Sequence, residues 1–234
     1  IFDTMGIFWT MNYPNEKELS LLQEWQLKPQ RLPVRVFVPF GFIRKYEDFG
    51  IPFTKEFSIN PAELDAADWG LTFGLNMNEP TGILLERTIS DLKEKEKEFS
   101  IDDIVHEIRV DVKAEKEAKN LLENLFLGAK TWGIFSEKAT PISKLVEAGT
   151  TTILDLSQYN VQGAYNVRGL VISIVSRKLF QERMLYRKKE EVESVRHGLE
   201  YLRYREKREM PMVWLMLDEA HEFLPREGKT PATD

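Results

Sequence analysis

Apolar positions along the chain fall into two patterns. Short unbroken runs occur at residues 1–3 (IFD), 34–39 (VRVFVP), 151–156 (TTILDL) and 212–217 (MVWLML). Each is rich in β-branched or aromatic residues and bounded by Pro, Gly or acids, as strands are. The lack of strict alternation predicts strands buried on both faces, as in a parallel sheet. Between these runs the spacing turns helical. Residues 15–27 predict a short helix after Pro14. After Tyr165, the positions Val167, Leu170, Val171, Ile174, Val175 and Leu179 advance by threes and fours and make one apolar face. Residues 181–209 are highly charged, which suits a solvated helix end or a polar contact with a partner subunit.

The stretch 61–148 reads as almost wholly helical. Ser100 and Asp103 stand at capping-box spacing, and 113–126 is rich in strong helix formers. Lying between two strands, this block is expected to be a helical insertion. The expected organisation is a first core part at 1–60, the insertion at 61–148 and a second core part at 149–234. Strands alternating with helices make an α/β domain with a mostly parallel sheet. Such sheets bind ligands at the carboxyl ends of their strands. Asp3, Asp155, Asp218 and Glu219 all fall at such ends.

Composition narrows the chemistry. There is no cysteine, which excludes a disulfide scaffold, a thiolate metal site and a cysteine nucleophile, and fits a cytoplasmic protein. No apolar stretch approaches the roughly 20 residues of a membrane span, so no membrane association is expected. A formal net charge of −6 argues against a protein that coats nucleic acid over its whole surface, but leaves room for a few gripping loops. The opening IFDTMG reads like the middle of a strand, and a fragment of a longer protein is expected.

The apolar run Val213 to Leu217 ends in two adjacent acids, Asp218 and Glu219. Mg2+ takes one or two carboxylates and fills its other positions with water and phosphate oxygens. Asp218 would hold the ion, and Glu219 would orient or deprotonate a water attacking a γ-phosphate. The alternative is that the acids only cap the next helix, for which one would suffice. Two look-alikes fail. HEFLP at 221–225 begins like a zinc-protease motif, but Pro225 stands where the second histidine is needed. GKT at 228–230 lacks the earlier glycine of a phosphate-binding loop, because Phe223 occupies that position. Residues 225–234 are therefore read as a surface loop. No G-x-x-x-x-G-K-[ST] occurs in these 234 residues.

Taken together, IFDTMGIFW, TTILDLS, NVRGLVISIVSRKLFQERM and VWLMLDEAHEFLPREGKTPATD resemble the archaeal HerA-like ATPases, hexameric DNA translocases related to FtsK with RecA-like cores. The resemblance spans nearly the whole chain and implies a partial RecA-like P-loop NTPase core whose phosphate-binding loop lies upstream. It implies ATP and Mg2+ as cofactors, with Asp218 as the magnesium-site acid and Glu219 as the catalytic acid. Asp3 resembles the acid that ends the strand after the P-loop helix. It either orients the site or a water, or caps the turn from Thr4 to Gly6. Arg168 and Arg177 are candidates for arginines that reach a neighbouring subunit's nucleotide, the alternative being salt bridges or packing. The implied partners are double-stranded DNA, a NurA-type nuclease and further copies in a homo-hexamer acting in DNA-end resection. Two other classes compete: a DEAH-box helicase, suggested by DEAH at 218–221, and a secretion or conjugation ATPase, which shares the core.

Overall fold

The computed structural model describes residues 1–95, 98–160, 165–197, 210–224 and 230–233. Its strands are β1 (Phe2–Asp3), β2 (Val34–Pro39), β3 (Lys55–Phe57) and β4 (Thr151–Asp155). They form an all-parallel sheet in the order β1-β4-β2-β3. The helices are α1 (Leu19–Glu24), α2 (Ile43–Asp48), α3 (Ala66–Phe73), α4 (Pro80–Lys95), α5 (Ile101–Val110), α6 (Lys116–Lys130), α7 (Ile142–Leu145) and α8 (Tyr165–His197). The α/β class and parallel sheet expected from the sequence are present.

Both faces of the sheet are covered, which is why its strands are apolar without alternation. On one face Val34, Val36, Val38 and Ile153 pack with Tyr46 of α2 and with Phe8, Trp9 and Met11. On the other, Phe2, Phe37 and Leu154 join one continuous core with the helices. The face predicted for α8 is buried at every position named above. Helices α3 to α6 pack around Trp69, Leu85, Ile104, Leu122 and Phe126. The chain enters and leaves this block side by side: Ile59 bridges Phe135 in parallel, and Asn60 Nδ2 donates to the Glu137 carbonyl. The helical block lies between β3 and β4 in sequence and shares the core of the sheet.

Capping follows the residues. Ser100 and Asp103 form the expected reciprocal box at the start of α5, and Asp65 and Asp68 form a second at α3. The helix expected at 15–27 shrinks to the six residues of α1, which has no side-chain N-cap and buries none of its residues. Strand β3 escaped the sequence reading because it is three residues long and its first two positions are exposed.

The stretch 212–217 differs from expectation. It touches the sheet through one parallel bridge, Phe2 to Leu217, with Phe2 N–H donating to the Met216 carbonyl at 2.9 Å. Met212, Trp214 and Met216 are 67%, 77% and 55% exposed instead of buried. An apolar run becomes a buried strand only where a neighbour takes its hydrogen bonds and layers cover both faces. Here β1 offers only Phe2 and Asp3 as partners, and 212–216 lines an open cavity of about 470 Å³ with Ile1, Met11, Val175 and Leu179. Of the expected surface loop 225–234, residues 230–233 are described. Pro231 is buried in the turn Pro231–Thr233 and lies on Gly169 of α8, so this part is packed, while 225–229 and 234 lie outside the described residues. Likewise 198–209 of the charged stretch lie outside them. No helix among the described residues is long and apolar enough to cross a membrane.

Candidate functional site at the carboxyl edge of the sheet

Parallel pairing puts Asp3 and Asp155 directly opposite one another at the ends of β1 and β4. Both are buried. The Asp3 carboxylate accepts N–H groups from Met5 at 3.2 Å, Gly6 at 2.7 Å and Phe8 at 2.9 Å. Asp3 therefore caps the turn that follows its strand, which is one of the two roles the sequence left open. Asp155 Oδ1 accepts from the backbone N–H and hydroxyl of Ser157 at 3.0 and 2.7 Å. Gly6 makes this closeness possible. Its φ of +70° suits glycine, and a Cβ there would stand 2.5 Å from Ser157 Oγ. Burial pushes the Asp3 carboxyl above its usual range. The N–H of Phe8 works against that shift and the neighbouring Asp155 charge adds to it. Burial, with the Asp155 charge as a second cause, also raises the Tyr46 phenol well above normal.

Asp218 arrives at the same edge from the other side of β1. Its N–H donates to the Phe2 carbonyl at 3.2 Å, and its Oδ2 accepts from Thr4 Oγ1 at 3.3 Å. The next residue, Glu219, is half-exposed, with Oε2 3.3 Å from His221 Nδ1. Its backbone is left-handed, with φ +50° and ψ +41°. For an L-residue this costs about 1–2 kcal/mol. The other positive-φ non-glycine residue described, Gln26, follows the end of α1 with the 26-to-23 and 27-to-22 hydrogen bonds of a common helix stop. Glu219 ends no helix. Strain of this kind persists where the surroundings over-determine it, and it concentrates at functional sites.

Both arginine candidates are engaged by acids of their own chain. Arg168 is buried, donates to Asn160 Oδ1 at 2.6 Å and pairs with Glu222 Oε2 at 2.9 Å. Its guanidinium lies 5.2 Å from the centre of the Phe223 ring. Arg177 forms a two-pronged pair with Asp68 at 2.9 and 2.7 Å, tying α8 to α3. Both make the internal pairs that the salt-bridge alternative implies.

The donor set offered to a metal is one carboxylate, Asp218, with the Thr4 hydroxyl beside it. That fits the hard-oxygen habit of Mg2+, which leaves most positions to water and phosphate. No group of three His, Cys, Asp or Glu able to hold a metal occurs among the described residues. Sequence reasoning missed Thr4, Asn160, Glu222 and Phe223. Asn160 Nδ2 donates to the Thr4 carbonyl at 2.9 Å, completing a chain from Asp218 through Thr4, Asn160 and Arg168 to Glu222. These residues are polar or apolar singletons far apart in sequence, and no local pattern marks them. Comparison with family models, curated proteins and solved structures returned no match.

Proposed function

We propose that this chain is part of the ATPase core of a HerA-like, ring-forming translocase of double-stranded DNA. The observation that carries the proposal is the convergence at one sheet edge of Asp218, hydrogen-bonded to Thr4, and Glu219, strained and half-exposed. Ligands of parallel α/β sheets bind at this edge.

In this reading Asp218 would hold Mg2+, which would supply charge stabilisation to the phosphates of ATP. Glu219 takes a proton from water as the water oxygen bonds to the γ-phosphorus and the bond to the ADP oxygen breaks. The phosphate-cradling loop is not among these 234 residues and would come from elsewhere in the complete protein. The apolar side chains of 212–216 are open to solvent, as are Phe180 and Leu185 on α8. They are the kind of surface that another segment or a neighbouring subunit covers. A closed ring would give every subunit the same neighbour and so the same borrowed charge at its nucleotide. A NurA-type nuclease acting on the DNA ends would be the natural partner.

The test is ATP hydrolysis by the full-length protein, with and without double-stranded DNA. DNA-stimulated turnover supports the motor. Turnover indifferent to DNA favours a secretion-type ATPase, and no turnover removes the enzyme.

A further inference from the structure

Glu219 occupies a costly backbone conformation, and hydrogen bonds flank it on both sides. Upstream, the chain is pinned by the hydrogen bond from Asp218 N–H to the Phe2 carbonyl. Downstream, Glu222 N–H donates to the Glu219 carbonyl at 2.9 Å, and Phe223 and Leu224 both donate to Ala220. Among the described residues, Arg168 of α8 fastens this turn. Arg168 pairs with Glu222 and lies against the ring of Phe223, which is 1% exposed. Arg168 is itself aimed by Asn160, whose amide is held by the Thr4 carbonyl, and Thr4 holds Asp218. The bonds close a ring around the two acids, passing through the end of β1, the residue after the turn Ser157–Tyr159, α8 and the turn Ala220–Glu222.

We infer that Arg168 is a positioning residue: by clamping Glu222 and Phe223 it holds Glu219 in its left-handed conformation and fixes where the Glu219 carboxylate stands. Loss of the clamp weakens the hold on the turn and favours relaxation of Glu219 to ordinary backbone angles, which would swing its side chain away from the edge that carries Asp218. This rests on the reading of Glu219 as the water-activating acid. It gives Arg168 a task within its own subunit, unlike an arginine that touches a neighbour's nucleotide.

The test uses the full-length protein with Arg168→Gln, and with Glu222→Gln as a gentler break of the same clamp should the first fail to fold. Two measurements are made: steady-state hydrolysis of MgATP, and amide hydrogen exchange at Glu222, Phe223 and Leu224 with Leu154 and Leu156 as controls. The expected result is a kcat lower by about 10–100-fold with KM little changed, since misplacement of a catalytic group costs rate more than binding. Exchange should rise about ten-fold at 222–224 as the ion pair to Glu222 is lost, and stay level at Leu154 and Leu156. Unchanged exchange at 222–224 overturns the clamp. So does raised exchange there with kcat intact, and so does faster exchange everywhere, which marks a general structural role. If the unaltered protein hydrolyses no ATP, the catalytic reading of Glu219 fails, and the exchange experiment alone still decides whether Arg168 holds the turn.

Discussion

Two places in the molecule have the same sequence pattern and opposite fates. At β1 and β4 a short apolar run ends in an acid, and the acid is buried with its oxygens engaged by the turn that follows. At 212–219 a longer apolar run ends in two acids, yet the run is exposed and the acids are lightly tied. The difference lies in the partners. Asp3 and Asp155 are surrounded by N–H and hydroxyl donors of their own loops, so they are spent on structure. Among the described residues, the Asp218 side chain has one bond to a hydroxyl and Glu219 one contact with an exposed imidazole, which leaves both able to engage a ligand. An acid at a strand end becomes a candidate for chemistry when the fold has not already used it.

The sharpest way to break this comparison is Glu219→Gln in the full-length protein. The amide keeps the shape and loses the basicity, so turnover should fall by roughly 10²–10⁴-fold while nucleotide still binds. Asp218→Asn should in addition raise the magnesium concentration needed for binding. Near-normal rates in Glu219→Gln would show that the exposed acids are no more catalytic than the buried ones. The 234 residues alone, without a phosphate cradle, should show no turnover.

Stability should rank the two regions the other way. Asp3→Ala strips the acceptor from the N–H groups of Met5, Gly6 and Phe8. Relief of the buried charge offsets part of that loss, leaving about 2–3 kcal/mol of destabilisation in denaturant titration. Asp218→Ala removes one 3.3 Å bond at a half-exposed position and should cost less than about 1 kcal/mol. Equal costs would erase the distinction between spent and available acids.

Much of this was legible beforehand, for identifiable reasons. β2, β4 and the apolar face of α8 are long enough, and covered completely enough, for periodicity to report them. The Ser100–Asp103 cap is local and readable at sight. Asp218 and Glu219 stand out as candidates because two carboxylates after an apolar run are chemically conspicuous. What stayed hidden depends on partners distant in sequence. The exposure of 212–216 follows from how little of β1 there is to pair with. The roles of Arg168 and Arg177 follow from Glu222 and Asp68, which lie 54 positions after one and 109 before the other. No periodicity carries that information.

The tie between the helical block and the sheet offers a smaller effect. Arg177→Ala removes both bonds to Asp68. Asp68 keeps its place in the α3 cap by accepting the Asp65 N–H at 2.9 Å, so it is not left bare. The expected cost is about 1–2 kcal/mol. Unfolding should remain one transition by circular dichroism and Trp fluorescence, because the aromatic cluster of Trp69, Phe73 and Phe126 belongs to the same core as the sheet. Two separated transitions would mean that the helical block folds independently.

The smallest effect is in the pH dependence, where a buried and an exposed acid should differ in sign. Burial raises the Asp3 carboxyl, so the folded protein keeps this proton at a pH where the unfolded chain, near the ordinary value of 3.8, has released it. The folded state then binds more protons, and stability falls as pH rises from the unfolded value through the folded one, with a slope of at most about 1.4 kcal/mol per pH unit for one proton. Asp103 is the reverse case. The Ser100 hydroxyl and backbone N–H lower its carboxyl, so its contribution is present above 3.8 and disappears as pH falls through the folded value. Denaturant titrations of the unaltered chain, Asp3→Asn and Asp103→Asn from about pH 3 to 7 separate the two. Subtracting the Asp3→Asn curve from the unaltered one should leave a difference that falls with rising pH above 3.8. The same subtraction for Asp103→Asn should leave one that rises. A rising Asp3 difference would mean that the three N–H groups outweigh burial and the Asp155 charge, making Asp3 an ordinary stabilising carboxylate.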